Sequence, residues 1–225
     1  MKSNLIADNH NQSWDAIKEA LSLSYDPQKL QQYYDKWSCD YDRDVSNEDY
    51  SAPEFIADYL ARILENESEI DSRNQDIEII DAGCGTGLVG LTLYNKGFRN
   101  IDGFDLSHQM IEKAKQTGVY KSLEGGCDMT CPIKTYQDKK YKVTICCGVF
   151  TSGHVPPNAL EELIGVTQIG GLLLVSTRKS YYDNSDFSTI CDCLQAEGRI
   201  KLIHSIMDGP YLAEEGAHYW TFAVC

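Results

Sequence analysis

From Ile77 to the C-terminus, short apolar runs alternate with amphipathic stretches. The strand candidates are Ile77–Asp81, Ile101–Asp105, Lys121–Gly125, Lys142–Cys147, Leu172–Thr177, Ile200–Met207 and His218–Val224. Their length and their content of Val and Ile predict buried strands. The stretches between them, Leu88–Asn95, Ser107–Gln116, Asn158–Gln168 and Asp186–Ala196, predict helices, with Gly97, Gly118 and Gly198 placed to end them. Continuous apolar strands joined by helices imply an α/β fold, a mainly parallel sheet covered on both faces. The last two strands are joined through Asp208-Gly209-Pro210 without a helix, so they read as an antiparallel pair.

Ahead of Ile77 the pattern is helical throughout. The first dozen residues are polar and expected to fray. Trp14, Ile17, Ala20 and Leu21 recur at helical spacing. Asp26-Pro27 forms a cap and first turn for a helix through Tyr33, Tyr34 and Trp37. Ser51-Ala52-Pro53 opens another, carrying Phe55, Ile56, Tyr59, Leu60, Ile63 and Leu64. Glu65–Gln75 is a charged connector. One structural domain is expected, divided into an N-terminal helical segment, residues 1–75, and an α/β core, residues 76–225. No internal repeat or low-complexity stretch interrupts it.

The chemistry is concentrated where the first strand meets its helix, at Asp81-Ala82-Gly83-Cys84-Gly85-Thr86-Gly87. Glycines there allow positive φ and close approach of a ligand to the backbone, and the helix start offers unpaired N–H groups. A dinucleotide site needs a small residue where this chain has Leu88. The second strand ends at Asp105, roughly 20 residues on, where an acid can accept both hydroxyls of a ribose. That ribose belongs equally to nicotinamide dinucleotides and to other nucleoside cofactors. Ser107 reads as the N-cap of the next helix.

The spacing Asp81-x-Gly83-x-Gly85-x-Gly87 resembles the first motif of the S-adenosylmethionine (SAM)-dependent methyltransferases of Rossmann-like fold. The resemblance implies a seven-stranded sheet of order 3-2-1-4-5-7-6, its last strand antiparallel, with SAM as cofactor. It places Asp81, Gly83, Cys84, Gly85 and Gly87 around the methionine part and Asp105 on the ribose. Leu106 then lies under the adenine, Asp128 at its amino group and Met129 over the ring, with Cys147 and Gly148 passing beside the cofactor. Tyr33-Tyr34-Asp35-Lys36-Trp37-Ser38-Cys39-Asp40-Tyr41-Asp42 resembles the lead-in of small-molecule methyltransferases, which forms a lid. On that basis Tyr33 and Tyr41 are expected to contact cofactor or substrate, with Trp37 as a wall. The longer stretch from Gly148 to Leu163, with Phe150-Thr151-Ser152-Gly153-His154-Val155-Pro156-Pro157 at its centre, resembles the methyltransferase-like family of the vertebrate Williams–Beuren region. That resemblance runs from about Tyr33 onward and names no acceptor.

His154 lies at the expected mouth of the site. Its imidazole titrates near neutrality in water, which makes it the expected general base. The adenine-N6 methylation signature is absent, because Pro156-Pro157 follows His154-Val155 too far from the strand end. The expected reaction is methyl transfer to an oxygen or nitrogen of a small molecule. A protein or peptide methyltransferase, and a SAM-binding cyclase or isomerase, use the same fold.

Composition narrows the partners. A net charge of −14 argues against binding the backbone of a nucleic acid. No apolar stretch is long enough to cross a membrane. Nine cysteines, an odd number and without a signal peptide, suit a reducing cytoplasm. Cys191-x-Cys193 lacks a partner pair at zinc spacing, and acids come singly at the strand ends, so no metal is expected. Oligomeric state is not legible.

Overall fold

The computed structural model describes residues 2–66, 76–136 and 140–225, the side chains of 2–11 and 66 apart. Four helices come first: α1 (Lys2–Leu21), α2 (Pro27–Trp37), α3 (Tyr41–Asn47) and α4 (Ala52–Asn66). α1 begins at Lys2, so the polar opening expected to fray is helical. Most of the expected charged connector lies outside the described residues. Then follow β1 (Glu78–Ala82), α5 (Leu88–Asn95), β2 (Asn100–Asp105), α6 (His108–Thr117), β3 (Ser122–Gly125) and β4 (Tyr141–Phe150). The chain ends with α7 (Leu160–Val166), β5 (Thr167–Arg178), α8 (Lys179–Asn184), α9 (Phe187–Ala196), β6 (Ile200–Gly209) and β7 (Ala217–Val224).

The strands form one seven-stranded sheet of order β3-β2-β1-β4-β5-β7-β6. β1 pairs in parallel with β2 and β4, β2 with β3, and β4 with β5. β7 runs antiparallel to both neighbours. It returns from β6 without a crossover helix, which forces the reversal.

Both faces of the central strands are buried, and the alternation of side chains along each strand divides the core in two, whereas the edge strand β6, expected to be buried, is mostly exposed because it has a neighbour on one side only. Ile80, Ala82, Phe104, Leu173 and Val175 face one way, against Leu160 and Leu163 of α7 and Phe187 and Leu194 of α9. Ile79, Ile101, Val143, Ile145 and Leu174 face the other, against Ile56, Leu60 and Leu64 of α4 and Val89 and Leu93 of α5. α4 is therefore a covering helix of the sheet. The helices ahead of it share a separate cluster around Ile17, Ala20, Trp37 and Val45. Among the described residues, no helix is long and apolar enough to cross a membrane.

α2 carries its own start signal. Asp26 accepts from the backbone N–H groups of Gln28 and Lys29, both at 3.1 Å, and Pro27 occupies the first turn. A register shift between Cys146 and Phe150 interrupts the β4–β5 pairing, which resumes with Phe150 opposite Thr177. There Gly148 takes φ +79° and its N–H turns to the Ser176 hydroxyl at 2.9 Å. That bulge opens the carboxyl edge of the sheet beneath α2 and α3.

Candidate active site

Parallel strands leave a crevice beyond their carboxyl ends where strand order reverses, here between β1 and β4. A cavity of about 730 Å³ lies there. Its floor is the turn after β1. The N–H groups of Gly83 and Cys84 both donate to the Phe104 carbonyl at 2.9 Å, which folds the turn tightly against β2. Gly83 sits at φ +73°, and a Cβ there would collide with Val149. Gly85 sits at φ +55°, and a Cβ there would meet nothing within 4 Å because the residue borders the cavity. The turn is thus a cradle left open on one side.

Asp105 forms the next wall. The Gly85 N–H donates to its Oδ2 at 2.9 Å and the Ser107 N–H to its Oδ1 at 2.8 Å. Each oxygen keeps lone-pair capacity for a further donor, the arrangement two ribose hydroxyls require. Burial pushes the Asp105 carboxyl up to about 6, with the Ser107 and Gly85 N–H groups opposing it. Leu106, Met110 and Met129 add apolar walls. Asp128 lies at the rim, its Oδ1 accepting from the Thr130 N–H at 2.8 Å and the Thr130 hydroxyl at 2.7 Å. An open backbone cradle, a two-oxygen acid and apolar walls fit the amino-acid, ribose and base portions of SAM respectively.

If Asp105 holds the ribose, the hydroxyls would donate to the ionised carboxylate, and bound SAM would lower a pKa that the free protein holds near 6. Free protein that is protonated at Asp105 must release that proton to bind. Affinity for SAM is therefore expected to hold above pH 7 and to be about tenfold weaker at pH 5. Calorimetry across that range measures it, and a flat profile would place the ribose contact elsewhere.

The roof comes from the N-terminal helices. Leu30 and Tyr34 of α2 and Tyr41 of α3 line the cavity. Two lid acids hold these helices to the cofactor loops. Asp35 accepts from the Ser107 hydroxyl at 2.6 Å and the Gln109 N–H at 3.1 Å, and Asp42 accepts from the Thr86 hydroxyl at 2.6 Å.

His154 closes the far end. Its Nδ1 lies 2.9 Å from the Ser152 carbonyl and its Nε2 2.6 Å from the Tyr34 hydroxyl. A carbonyl only accepts, so Nδ1 carries the proton and Nε2 accepts from Tyr34. Burial, with Arg178 nearby, pushes His154 down to about 4, against the opposing bond to Ser152. Burial also holds the Tyr34 hydroxyl well above its usual value. At neutral pH the pair is a neutral phenol donating to a neutral imidazole.

Beyond this pair is a second cavity of about 410 Å³. Trp37, Tyr50, Tyr211, Thr151 and Arg178 help to line it, and Tyr34, Tyr41, Gly148 and His154 border both cavities.

Of the residues expected from sequence, Tyr41, Gly83, Gly85, Asp105, Leu106, Asp128, Met129, Cys147 and His154 line the first cavity. Trp37 lines the second, its indole N–H donating to Asp44 at 2.8 Å. The others stand back from it. Asp81 is buried behind the turn, accepting from the Tyr120 hydroxyl at 2.7 Å, and burial lifts it to about 7. Cys84 packs with Ile111 and Ala114 beneath the turn. Gly87, at φ +96°, lets the turn pass against Tyr120 and α6. Tyr33 points into the lid, donating to the Ala16 carbonyl at 2.7 Å. Tyr34, one position on, takes the place expected of Tyr33, because Leu30 and Tyr34 are one helical turn apart and share the inward face. That spacing was the available signal for Tyr34. Among the described residues, no three His, Cys, Asp or Glu side chains cluster as a metal site.

A glycine cradle beside a two-oxygen acid, on a sheet of this order, matches the fold of the SAM-dependent methyltransferases. Residues 48–223 match the family described as "Methyltransferase domain", and the chain belongs to that family. Methyltransferase-like protein 27 of Homo sapiens is 35% identical over 151 residues, 67% of this chain and 58% of that protein. The ubiquinone biosynthesis O-methyltransferase of Colwellia psychrerythraea is 27% identical over 158 residues, 67% of this chain and 59% of that protein. The chain thus spans under two thirds of either relative. Magnesium protoporphyrin IX methyltransferase from Synechocystis PCC 6803, solved with bound SAH (the demethylated cofactor), superposes with a TM-score of 0.66. It shares 14% sequence identity over 89% of this chain and 100% of that one, a likeness of fold. The same enzyme has been solved with bound SAM.

Proposed function

We propose that this protein transfers the methyl group of SAM to an oxygen or nitrogen of a small molecule seated in the second cavity. The observation that carries the reading is the shared border of the two cavities, formed by Tyr34, Tyr41, Gly148 and His154. A cofactor in the first and an acceptor in the second meet at that border, under a lid that suits a small molecule better than a polypeptide strand. The name of the Colwellia relative, an O-methyltransferase of ubiquinone biosynthesis, agrees with an oxygen acceptor. A reducing compartment such as the cytoplasm agrees with the nine free cysteines.

When bound, SAM supplies a methyl carbon on positively charged sulfur, and its C–S bond breaks as the acceptor's lone pair forms the new bond to carbon. The chain's own work is to align, to exclude water and to remove the acceptor's proton. The Tyr34 oxygen accepts that proton while its own passes to His154 Nε2, so Tyr34 ends neutral and the imidazole ends charged. Burial disfavours a free tyrosinate, so Tyr34 relays the proton without storing charge. His154 keeps its Nε2 lone pair available throughout the neutral range, because it is pushed down to about 4. The positive charge lost from sulfur is matched by the one gained on imidazole.

Incubation with methyl-labelled SAM and a cell extract, separated afterwards into small molecules and protein, tests the proposal. Label is expected among the small molecules. Label only in protein would replace this reading with a polypeptide acceptor, and no transfer at all with SAM bound would leave a role without methylation.

A further inference from the structure

The second cavity also says what kind of acceptor it takes, on the premise that it is the acceptor site. We infer that the acceptor is an uncharged aromatic molecule that carries, beside the reacting hydroxyl or amine, a second polar substituent held by Thr151.

Three observations lead there. The first is an orphan. Thr151 is only 4% exposed and lines the cavity, yet its hydroxyl has no hydrogen-bond partner. Its backbone is committed, the N–H donating to the Val149 carbonyl at 2.9 Å and the C=O accepting from the His154 N–H at 3.2 Å. The residue is thus fixed in the turn that also carries His154. A buried hydroxyl without a partner is costly in the free protein, and a ligand's polar group relieves that cost.

The second is the walls. Trp37, Tyr34, Tyr41, Tyr50 and Tyr211 all border the cavity. They brace one another, Trp37 and Tyr41 edge-on with centroids 4.9 Å apart and Tyr50 and Tyr211 edge-on at 5.3 Å. Braced rings favour a guest that offers a π-face or ring edge of its own.

The third is charge. Arg178 is the cation bordering the cavity, and it is already matched. Its Nη2 donates to Glu214 at 2.7 Å, and its Nε lies 2.7 Å from Glu215 as an ion pair without hydrogen-bond geometry. An anionic acceptor would compete with two carboxylates for one guanidinium. A neutral acceptor leaves the three charges as they stand.

Binding of simple probes to the SAH-loaded protein, followed by saturation-transfer NMR and calorimetry, tests this. The probes are the three dihydroxybenzenes, phenol, the cyclohexanediols and benzoate. At least one dihydroxybenzene is expected to bind better than phenol, and the cyclohexanediols and benzoate least. Thr151→Val, which keeps the shape and removes the hydroxyl, is expected to weaken that dihydroxybenzene about tenfold and to leave phenol unchanged. Thr151→Ser is expected to restore it. SAH affinity is the control for folding in both variants. Tight binding of the aliphatic diols or benzoate, no binding of any aromatic probe at millimolar concentration, or an unchanged preference in Thr151→Val overturns the inference. Methyl transfer to small molecules from the extract is measured separately, so a protein that transfers the label but prefers other probes refutes only the acceptor class.

Discussion

Replacing His154 with alanine is expected to lower turnover by about 10²–10⁴-fold, the range typical of losing a positioned general base. SAM affinity is expected to change far less, because the glycine cradle and Asp105 lie on other loops. The structure sharpens how this loss should depend on pH. An imidazole in water would give a falling limb near 6.5. Here His154 is pushed down to about 4, so kcat at saturating SAM should stay level from pH 8 to about 5 and fall only near 4. The Asp105 effect is confined to SAM affinity and disappears at saturation. Tyr34→Phe keeps the ring at the cavity border but cuts the 2.6 Å link to Nε2, and should lower kcat without shifting the cofactor's affinity. A His154→Ala variant that binds SAM normally and turns over within a few-fold of wild type would remove the base from the mechanism. Proximity to the sulfonium alone would then account for the rate.

Asp105→Ala is the second large effect. The variant loses an ionised acceptor for two hydroxyls, expected to weaken SAM by about 2 kcal/mol, roughly thirtyfold. It also strips the Gly85 and Ser107 N–H groups of their partner, so part of the loss comes from a looser cradle. Asp105→Asn separates the contributions. It retains an acceptor on one side but offers N–H groups where a carboxylate accepted, and it should fall between the two. Calorimetry with SAM reads all three proteins, and an unchanged affinity in Asp105→Ala would move the ribose contact elsewhere.

Much of this site was legible because it rests on backbone rules. A strand ending in an acid, glycines at alternate positions and a second strand ending in Asp105 can be read without tertiary information. The order of the sheet followed from the family resemblance, and the reversal of β7 from the missing crossover. What escaped depends on helix phase and distant partners. Tyr33 and Tyr34 are adjacent aromatics on one helix, and the one-turn spacing of Leu30 and Tyr34 picks the inward one only once the packing of α2 shows that Leu30 faces the cavity. α3 is a seven-residue helix and α8 a six-residue one, too short for periodicity to reveal. The pairing of Arg178 with Glu214 and Glu215 joins the end of β5 to the turn before β7, a contact that no local pattern encodes.

The lid acids carry a consequence for the surroundings this protein tolerates. Asp35 and Asp42 grip the cofactor loops through hydroxyls and a backbone N–H, with no lysine or arginine on the receiving side. Dissolved ions screen attraction between full charges and have little leverage on a carboxylate bonded to a neutral donor at contact distance. A chain with a net charge of −14 would otherwise be exposed to every change of ionic strength around it. Its lid is fastened by acidic contacts that dilute and concentrated salt treat nearly alike, so SAM affinity is expected to vary little between the two.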